Sequence, residues 1–488
     1  MKILIITHTF APALNGQAVF TTNLAEGLVE NNHHVRVWVP AIDRPVFEIR
    51  NGVEIQAISA LDLRFIHKDL SLAFAFHRKI EQLMNEFQPD LIHLQDPSPI
   101  SQSALKIAKN KNIPVLATHH PGPAIWAPYL PGENPIVKNI IVPLVWNYFI
   151  HYLNRADRIS APSRAAVKML QNHGVKKTIS PISCGVRLEE FTGSNSPQPA
   201  LRKKFGLPPD KKIFVFIGRL DEEKKVDVLI KAMSFVKDNQ VVLALAGNGL
   251  KNGKYHELVA SLGLCERIQF LGSVQRKDIA SLFGASDVFV MPGDVESLSI
   301  STLEALACGK PVIAANAMAL PEMVKDGHNG YLFQPGNPID LAKKMDVIAA
   351  NRQAWPEMSQ FSHLKVLDHQ LSNTISTYEK LYQKMIINKV PRKQAWYLFP
   401  IPGWISNYQL LFSIVEWAAL AVILLISLIT HNQPVSAAPF EPVIQFNPEM
   451  VAAIKHFLNT IEQLDLQDNQ ANALQLIFQN LQILFSRL

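Results

Sequence analysis

Two successive series of short apolar runs, each run followed by a helical pattern, limit this chain more than any other feature. Ile3–Ile6, Val35–Val39, Leu91–Leu94 and Val115–Thr118 are runs of only four or five residues. They are too short for helices and too continuous for strands with one wet face, so they predict strands buried on both sides. Helical patterns at Phe20–Glu30 and Leu72–Glu86 fall between them. The small polar stretch Gly193–Gln198 then breaks the rhythm, and a second series follows at Ile213–Ile217, Val241–Ala246, Ile268–Leu271, Val288–Met291 and Val312–Ala315. Strands alternating with helices form parallel sheets covered on both faces. The sequence therefore predicts an α/β protein of two doubly wound lobes, residues 1–195 and 196–370, with a cleft between them. Ligands are expected at the carboxyl ends of the strands.

Charge and cysteine usage remove several classes of function. Lys and Arg number 47 against 41 Asp and Glu, a formal net charge of +6. That excess suits phosphates or anionic lipid and is too diffuse for a nucleic-acid partner. Cys184, Cys265 and Cys308 stand far apart, which predicts neither a disulfide framework nor a zinc site, and no metal is expected. The apolar start Ile3–Ile6 is too short for the core of a secretory leader and lacks a cleavage site behind it, so a buried first strand is expected.

Past residue 385 the character changes. Lys384, Lys389, Arg392 and Lys393 gather around Pro391, and Trp396, Tyr397, Trp404 and Tyr408 follow in a basic and aromatic linker, 388–409. Leu410–Thr430 is almost wholly apolar, interrupted by Glu416 and two serines. About twenty apolar residues cross a bilayer core, and Trp and Tyr gather at its interfaces. The pattern predicts a single C-terminal transmembrane helix, with the large lobes at the cytoplasmic face because the basic residues precede it. A helix lying in the interface or buried in protein stays open as the alternative. The tail 431–488 carries Leu474, Ile477, Leu481, Leu484 and Leu488 at helical spacing and predicts an amphipathic helix.

Four loops behind predicted strands hold the chemistry. After Val288–Met291 come Glu296 and Glu304, eight residues apart, with the turn Ser297–Ser301 opening a helix whose free N–H groups and dipole suit an anion. Glu304, farther in, is placed to accept hydrogen bonds from ribose hydroxyls, and Glu296 to face a donor sugar. After Ile213–Ile217 comes Gly218-Arg219-Leu220-Asp221-Glu222-Glu223-Lys224. An Arg and a Lys at one strand end can converge on a diphosphate and stabilise it as it leaves. Gly16, behind Asn15, and the pair Gly247-Asn248 permit close backbone approach to a ligand. His119 and His120 follow Val115–Thr118, where a histidine can donate to a sugar hydroxyl or steady charge in a transition state.

Taken together, these segments resemble glycosyltransferase family 4, over about residues 1–385. GRLDEEKKVDVLIKA resembles the family's arginine–lysine segment, ESLSISTLEALACGKPVIA its paired-glutamate motif, and LPEMVKDGHNGYLFQPGN the segment that follows. The resemblance implies the GT-B fold, two Rossmann-like lobes, with a helix at 371–387 crossing back onto the first lobe. It implies a retaining reaction without metal or cofactor, in which the leaving diphosphate helps deprotonate the acceptor. By the same resemblance Arg219 and Lys224 bind the diphosphate, with the amides of Ser299, Ile300 and Ser301, and Gly218 belongs to the donor-binding set. Glu304 holds the ribose, Glu296 contacts the transferred sugar, His120 is the cleft histidine and Gly16 the second glycine of the N-terminal loop. Departures from the pattern are Ser297 and Ser299 in place of glycines, Asn15 for the first glycine, Arg187 after Cys184-Gly185-Val186, and Met318-Ala319 before Leu320-Pro321-Glu322. The expected activity is transfer of a hexose from a UDP- or GDP-sugar to a membrane lipid or lipid-linked acceptor. A soluble or polysaccharide precursor as acceptor, and a catalytically silent membrane scaffold, are the alternatives.

Overall fold

The computed structural model describes residues 1–13, 15–41, 46–62, 71–73, 77–120, 142–191 and 197–389. Its first lobe is built from β1 (Lys2–Ile6), α1 (Gly16–Glu30), β2 (His34–Pro40), β3 (Phe47–Arg50), β4 (Val53–Ile58), β5 (Ala60–Asp62), β6 (Ser71–Ala73), α2 (His77–Phe87), β7 (Leu91–Leu94), α3 (Pro99–Asn110), β8 (Val115–Thr118), α4 (Val142–Arg155), β9 (Arg158–Ala161), α5 (Arg164–Asn172) and β10 (Ile179–Pro181). Eight of these strands form one sheet in the order β10-β9-β8-β7-β1-β2-β4-β3, parallel throughout except where β3 meets β4. Strand β1 shows why the run Ile3–Ile6 is continuous. Ile3 and Ile5 enter one core and Leu4 and Ile6 the other, so neither face meets water.

The second lobe comprises α6 (Gln198–Lys204), β11 (Lys212–Ile217), α7 (Val226–Met233), β12 (Val241–Ala246), α8 (Asn252–Ser261), β13 (Ile268–Gly272), α9 (Ile279–Ala285), β14 (Val288–Met291), α10 (Ile300–Ala307), β15 (Val312–Ala315), α11 (Leu320–Met323), β16 (Gly330–Phe333), α12 (Pro338–Ala350) and α13 (Trp355–Leu367). Its six strands run β13-β12-β11-β14-β15-β16, all parallel. In each sheet the strand order reverses once, at β1/β7 and at β11/β14. A doubly wound sheet opens a crevice at that point, so the loops behind these four strands are where ligands should gather.

The last described helix, α14 (Leu371–Ile387), returns to the first lobe. Leu371, Ile375, Tyr378 and Tyr382 join the core that holds Ile3, Leu24 and Leu28. The Tyr382 hydroxyl lies 2.7 Å from His93 Nδ1, and Val186 exchanges backbone hydrogen bonds with His369 and Leu371. The two lobes are thereby crossed by the chain at 182–191 and again at 367–371.

Two expectations need correction. The helix expected at Leu72–Glu86 begins only at His77, because Ser71–Ala73 pairs antiparallel with Ala60–Asp62 as a small separate ribbon. An apolar run this short fits either period, and the tertiary partner decided. The helix expected from Phe20 starts at Gly16, capped by Asn15, whose side chain accepts from the Ala18 amide at 3.0 Å. Cys184, Cys265 and Cys308 are free thiols. The linker beyond Lys389, the apolar segment 410–430 and the tail 431–488 lie outside the described residues, and among the described residues no helix is long and apolar enough to cross a membrane.

Candidate active site

On the second lobe, the ends of β11 and β12 almost touch. Gly247 has φ +145°, and a Cβ there would sit 1.8 Å from the Gly218 carbonyl oxygen, so only glycine allows the two loops this approach. Asn248 serves the same junction: its carbonyl accepts from the Leu220 amide at 3.1 Å and its side chain accepts from Gly249. Arg219 is held by two carboxylates that are almost fully buried, Asp221 at 2.9 Å and Glu223. Lys224 ends a short 3-10 turn, and its Nζ lies 2.6 Å from Glu296 Oε1. Arg219 and Lys224 thus sit beside β11 with their directions fixed.

Glu296 stands in the loop behind β14, buried at 8% exposure. Ser299 caps α10, its hydroxyl accepting from the Thr302 amide at 3.3 Å. Ile300 and Ser301 are the first helical residues, so their amides have no intrahelical acceptor and the positive end of the dipole points out. Glu304 lies one turn deeper, 4% exposed, paired with Arg276, which also reaches Glu190 at 3.1 Å. Burial pushes the Glu304 carboxyl above its ordinary range, more than Arg276 draws it down. Burial works against charge on Arg276 too, but there the two carboxylates win and hold the guanidinium in its charged form.

The first lobe faces this from the ends of β1, β7 and β8. Gly16 opens α1, and a Cβ built on it would come 3.7 Å from Ile300 Cδ1, so the two helix N-termini meet across the cleft. His120 is buried with its Nε2 2.6 Å from Gln95 Oε1 and its ring 5.0 Å from that of Phe20. Burial, followed by repulsion from His119, takes its pKa down to about 3, so the imidazole is neutral and offers one N–H and one lone pair. Beside it, His8 Nδ1 lies 3.0 Å from Asp96 Oδ2, and Gln17 Nε2 donates to the same oxygen at 3.3 Å. Burial would raise Asp96, but the His8 charge and hydrogen bonds outweigh it and hold the carboxyl below its usual range.

Direct contacts close the lobes over the cleft. The Ser163 hydroxyl donates to the Ser297 carbonyl at 2.7 Å. Glu322, from the second lobe, accepts from the Arg164 and Ala165 amides at 3.1 and 2.7 Å at the N-terminus of α5. These contacts give the unusual residues of the sequence their roles. Ser299 caps a helix, Asn15 caps another, and Arg187 pairs with Glu26 and Glu30 of α1 at 3.4 Å. Met318 takes φ +48°, the left-handed conformation that suits the glycine it stands in for.

The structure therefore brings Arg219, Lys224, Glu296, Ser299, Ile300, Ser301 and Glu304 to one switch point, with Gly16 opposite Ile300. It sets Gly218, Gly247 and Asn248 beneath them as loop packing and puts His120 on the facing lobe. Arg276, His8, Gln95 and Asp96 went unmarked in the sequence. Gln95 and Asp96 directly follow a predicted strand and His8 follows another by one residue, so position alone could have flagged them. Arg276 also stands in a loop behind a predicted strand, Ile268–Leu271, but 28 residues before Glu304, and nothing local links the two.

Two doubly wound lobes closing on paired cations, paired glutamates and a free helix N-terminus define a glycosyltransferase of the GT-B class that uses a nucleotide-sugar donor. The comparisons agree. Residues 14–190 match Glycosyltransferase Family 4 and residues 197–362 match Glycosyl transferases group 1. The chain belongs to glycosyltransferase family 4 and is a hexosyltransferase. It is 25% identical to the alpha-monoglucosyldiacylglycerol synthase of Streptococcus pneumoniae over 68% of this chain and 75% of that protein. The fold superposes on sucrose-phosphate synthase from Thermosynechococcus elongatus with TM-score 0.69 and 20% identity, over 79% of this chain and 99% of that one. It superposes on Anabaena HepE in complex with UDP with TM-score 0.64 and 20% identity, over 79% and 100%.

Proposed function

We propose that this enzyme transfers a hexose, with retention of anomeric configuration, from a UDP- or GDP-sugar to a membrane lipid or lipid-linked acceptor at the cytoplasmic face. The observation that carries the donor side is the Lys224–Glu296 pair at 2.6 Å beside the open N-terminus of α10. A diphosphate set there meets Arg219, Lys224 and the amides of Ile300 and Ser301, and Glu296 is left facing the sugar. The bond between the sugar C1 and the diphosphate oxygen breaks as the cations and helix dipole take up the developing charge. The acceptor oxygen forms its bond to C1 on the same face, and its proton passes to the departing diphosphate. Neutral His120, whose Nε2–H is given to Gln95 Oε1, accepts a hydrogen bond from a sugar hydroxyl at Nδ1 without adding charge to an electron-poor ring. No metal is needed in this scheme, because Arg219 and Lys224 supply the positive charge.

For the acceptor, the support is the likeness to an enzyme named for making a glucosyl diacylglycerol, together with the apolar segment 410–430 as a membrane anchor. UDP is the first donor to test, since a structural neighbour holds it. Full-length protein in lipid vesicles, given radiolabelled UDP- and GDP-sugars, is expected to move label into the organic phase. Label found only in the aqueous phase would replace the lipid with a soluble acceptor. Donor binding with no turnover on any acceptor would favour the silent scaffold.

A further inference from the structure

Arg276 lies on a 3-10 turn, Arg276–Asp278, behind β13, far in sequence from every other residue of the donor cleft. Its two terminal nitrogens do different things. Nη1 holds Glu304 Oε1, and Nη2 holds Glu190 Oε2 at 3.1 Å. The guanidinium carbon stands 5.0 Å from the Phe191 ring centroid. A planar fork pinned by two carboxylates and stacked on an aromatic face has little freedom left, and neither has the carboxylate it grips. Glu190 is itself tied back, through Arg187 at 3.9 Å, to Glu26 and Glu30 on α1. A cavity of ≈ 460 Å³ is lined by Glu190, Phe191, Arg276, Lys277 and Ala280.

Glu304 needs such a partner. Its carboxyl is buried in α10, and burial favours the protonated form, which accepts fewer hydrogen bonds than the carboxylate. Arg276 at Oε1 opposes that shift and leaves Oε2 to accept. We propose that Arg276 is the positioning residue for the nucleotide ribose: it fixes the Glu304 carboxylate, with Glu190 and Phe191 as its own supports, in the orientation that reads the ribose hydroxyls. This rests on the role proposed for Glu304.

The test compares nucleotides with and without those hydroxyls. Binding of UDP and of 2′,3′-dideoxy-UDP, and of GDP and its dideoxy analogue, is measured by calorimetry on the full-length protein in detergent. The pair whose ribonucleotide binds wild type more tightly is then used for Arg276→Ala, Arg276→Lys, Glu190→Gln and Glu304→Gln. Wild type is expected to prefer the ribonucleotide. Arg276→Ala should cut that preference about tenfold, the scale of one charge-assisted hydrogen bond, by weakening the ribonucleotide alone. Arg276→Lys should lose most of it, since one ammonium cannot hold both carboxylates, and Glu190→Gln should fall between. Equal weakening of both nucleotides in Arg276→Ala would make Arg276 a general charge and overturn the inference. If Glu304→Gln abolishes the preference while Arg276→Ala preserves it, the inference falls and the role of Glu304 stands. If Glu304→Gln preserves it, the ribose role itself is wrong.

Discussion

Lys224 and Glu296 show how single side chains set this site's chemistry. Their 2.6 Å contact keeps a mostly buried carboxylate paired and holds the ammonium where a diphosphate would leave. Lys224→Ala is expected to lower kcat by about 10²–10³, the usual loss for one preorganised charge-stabilising donor. A fall of less than tenfold in steady-state assays would show that Lys224 does not meet the developing charge. Histidines set the acid limit of stability. Burial, then repulsion from His120, takes His93 to about 3, and burial, then repulsion from His119, takes His120 to about 3. The ordinary value is 6.5, so between these limits the unfolded chain binds more protons than the folded one. Stability from these neutral histidines is complete above pH 6.5 and is lost as pH falls toward 3, by about 1.4 kcal/mol per pH unit for each fully shifted histidine. His93→Gln should flatten the difference between urea midpoints at pH 7 and pH 5. An unchanged difference would mean that His93 is charged in the folded protein.

Among the elements, α14 and α1 are fitted most tightly. A Cβ on Gly27 would come 1.9 Å from Ile375 Cδ1 and 3.0 Å from its Cγ1. Gly27 is therefore needed for close helix approach and not for a special backbone angle. Gly27→Ala is expected to destabilise by about 1–3 kcal/mol through overpacking. Ile375→Ala on the same background should recover part of that loss, and a double-mutant cycle in urea tests it. Additive effects would show that the helices do not meet as described. The helical span of α14 could be foreseen from the family resemblance, and its burial of Tyr378 and Tyr382 could not. Those tyrosines find partners in His93, Thr118 and Ser160, three residues from strands that no local pattern links to a helix more than two hundred positions away.

For the molecule as a whole, the lobes meet through the apolar approach of Leu298 and Ile300 to the first-lobe core and through a few polar contacts. Glu322 sets a carboxylate against the N-terminus of α5, where the dipole and two free amides receive it. Glu322→Gln keeps the shape and removes the charge. We expect kcat to drop about two- to fivefold, the worth of a charge at a helix end, with a larger radius of gyration by X-ray scattering. Unchanged scattering together with unchanged kcat would mean that closure does not depend on this contact.

The sequence by itself determined the parallel centres of the two sheets, because strands buried on both faces are apolar with little interruption. It also marked the cations, glutamates and glycines of the donor cleft, because loops behind such strands cannot avoid the sheet's carboxyl edge. Tertiary structure alone decided that Ser71–Ala73 is a strand and that Arg276 grips Glu304. Each of these depends on a partner elsewhere in the chain, and local periodicity records only which face of a segment is dry.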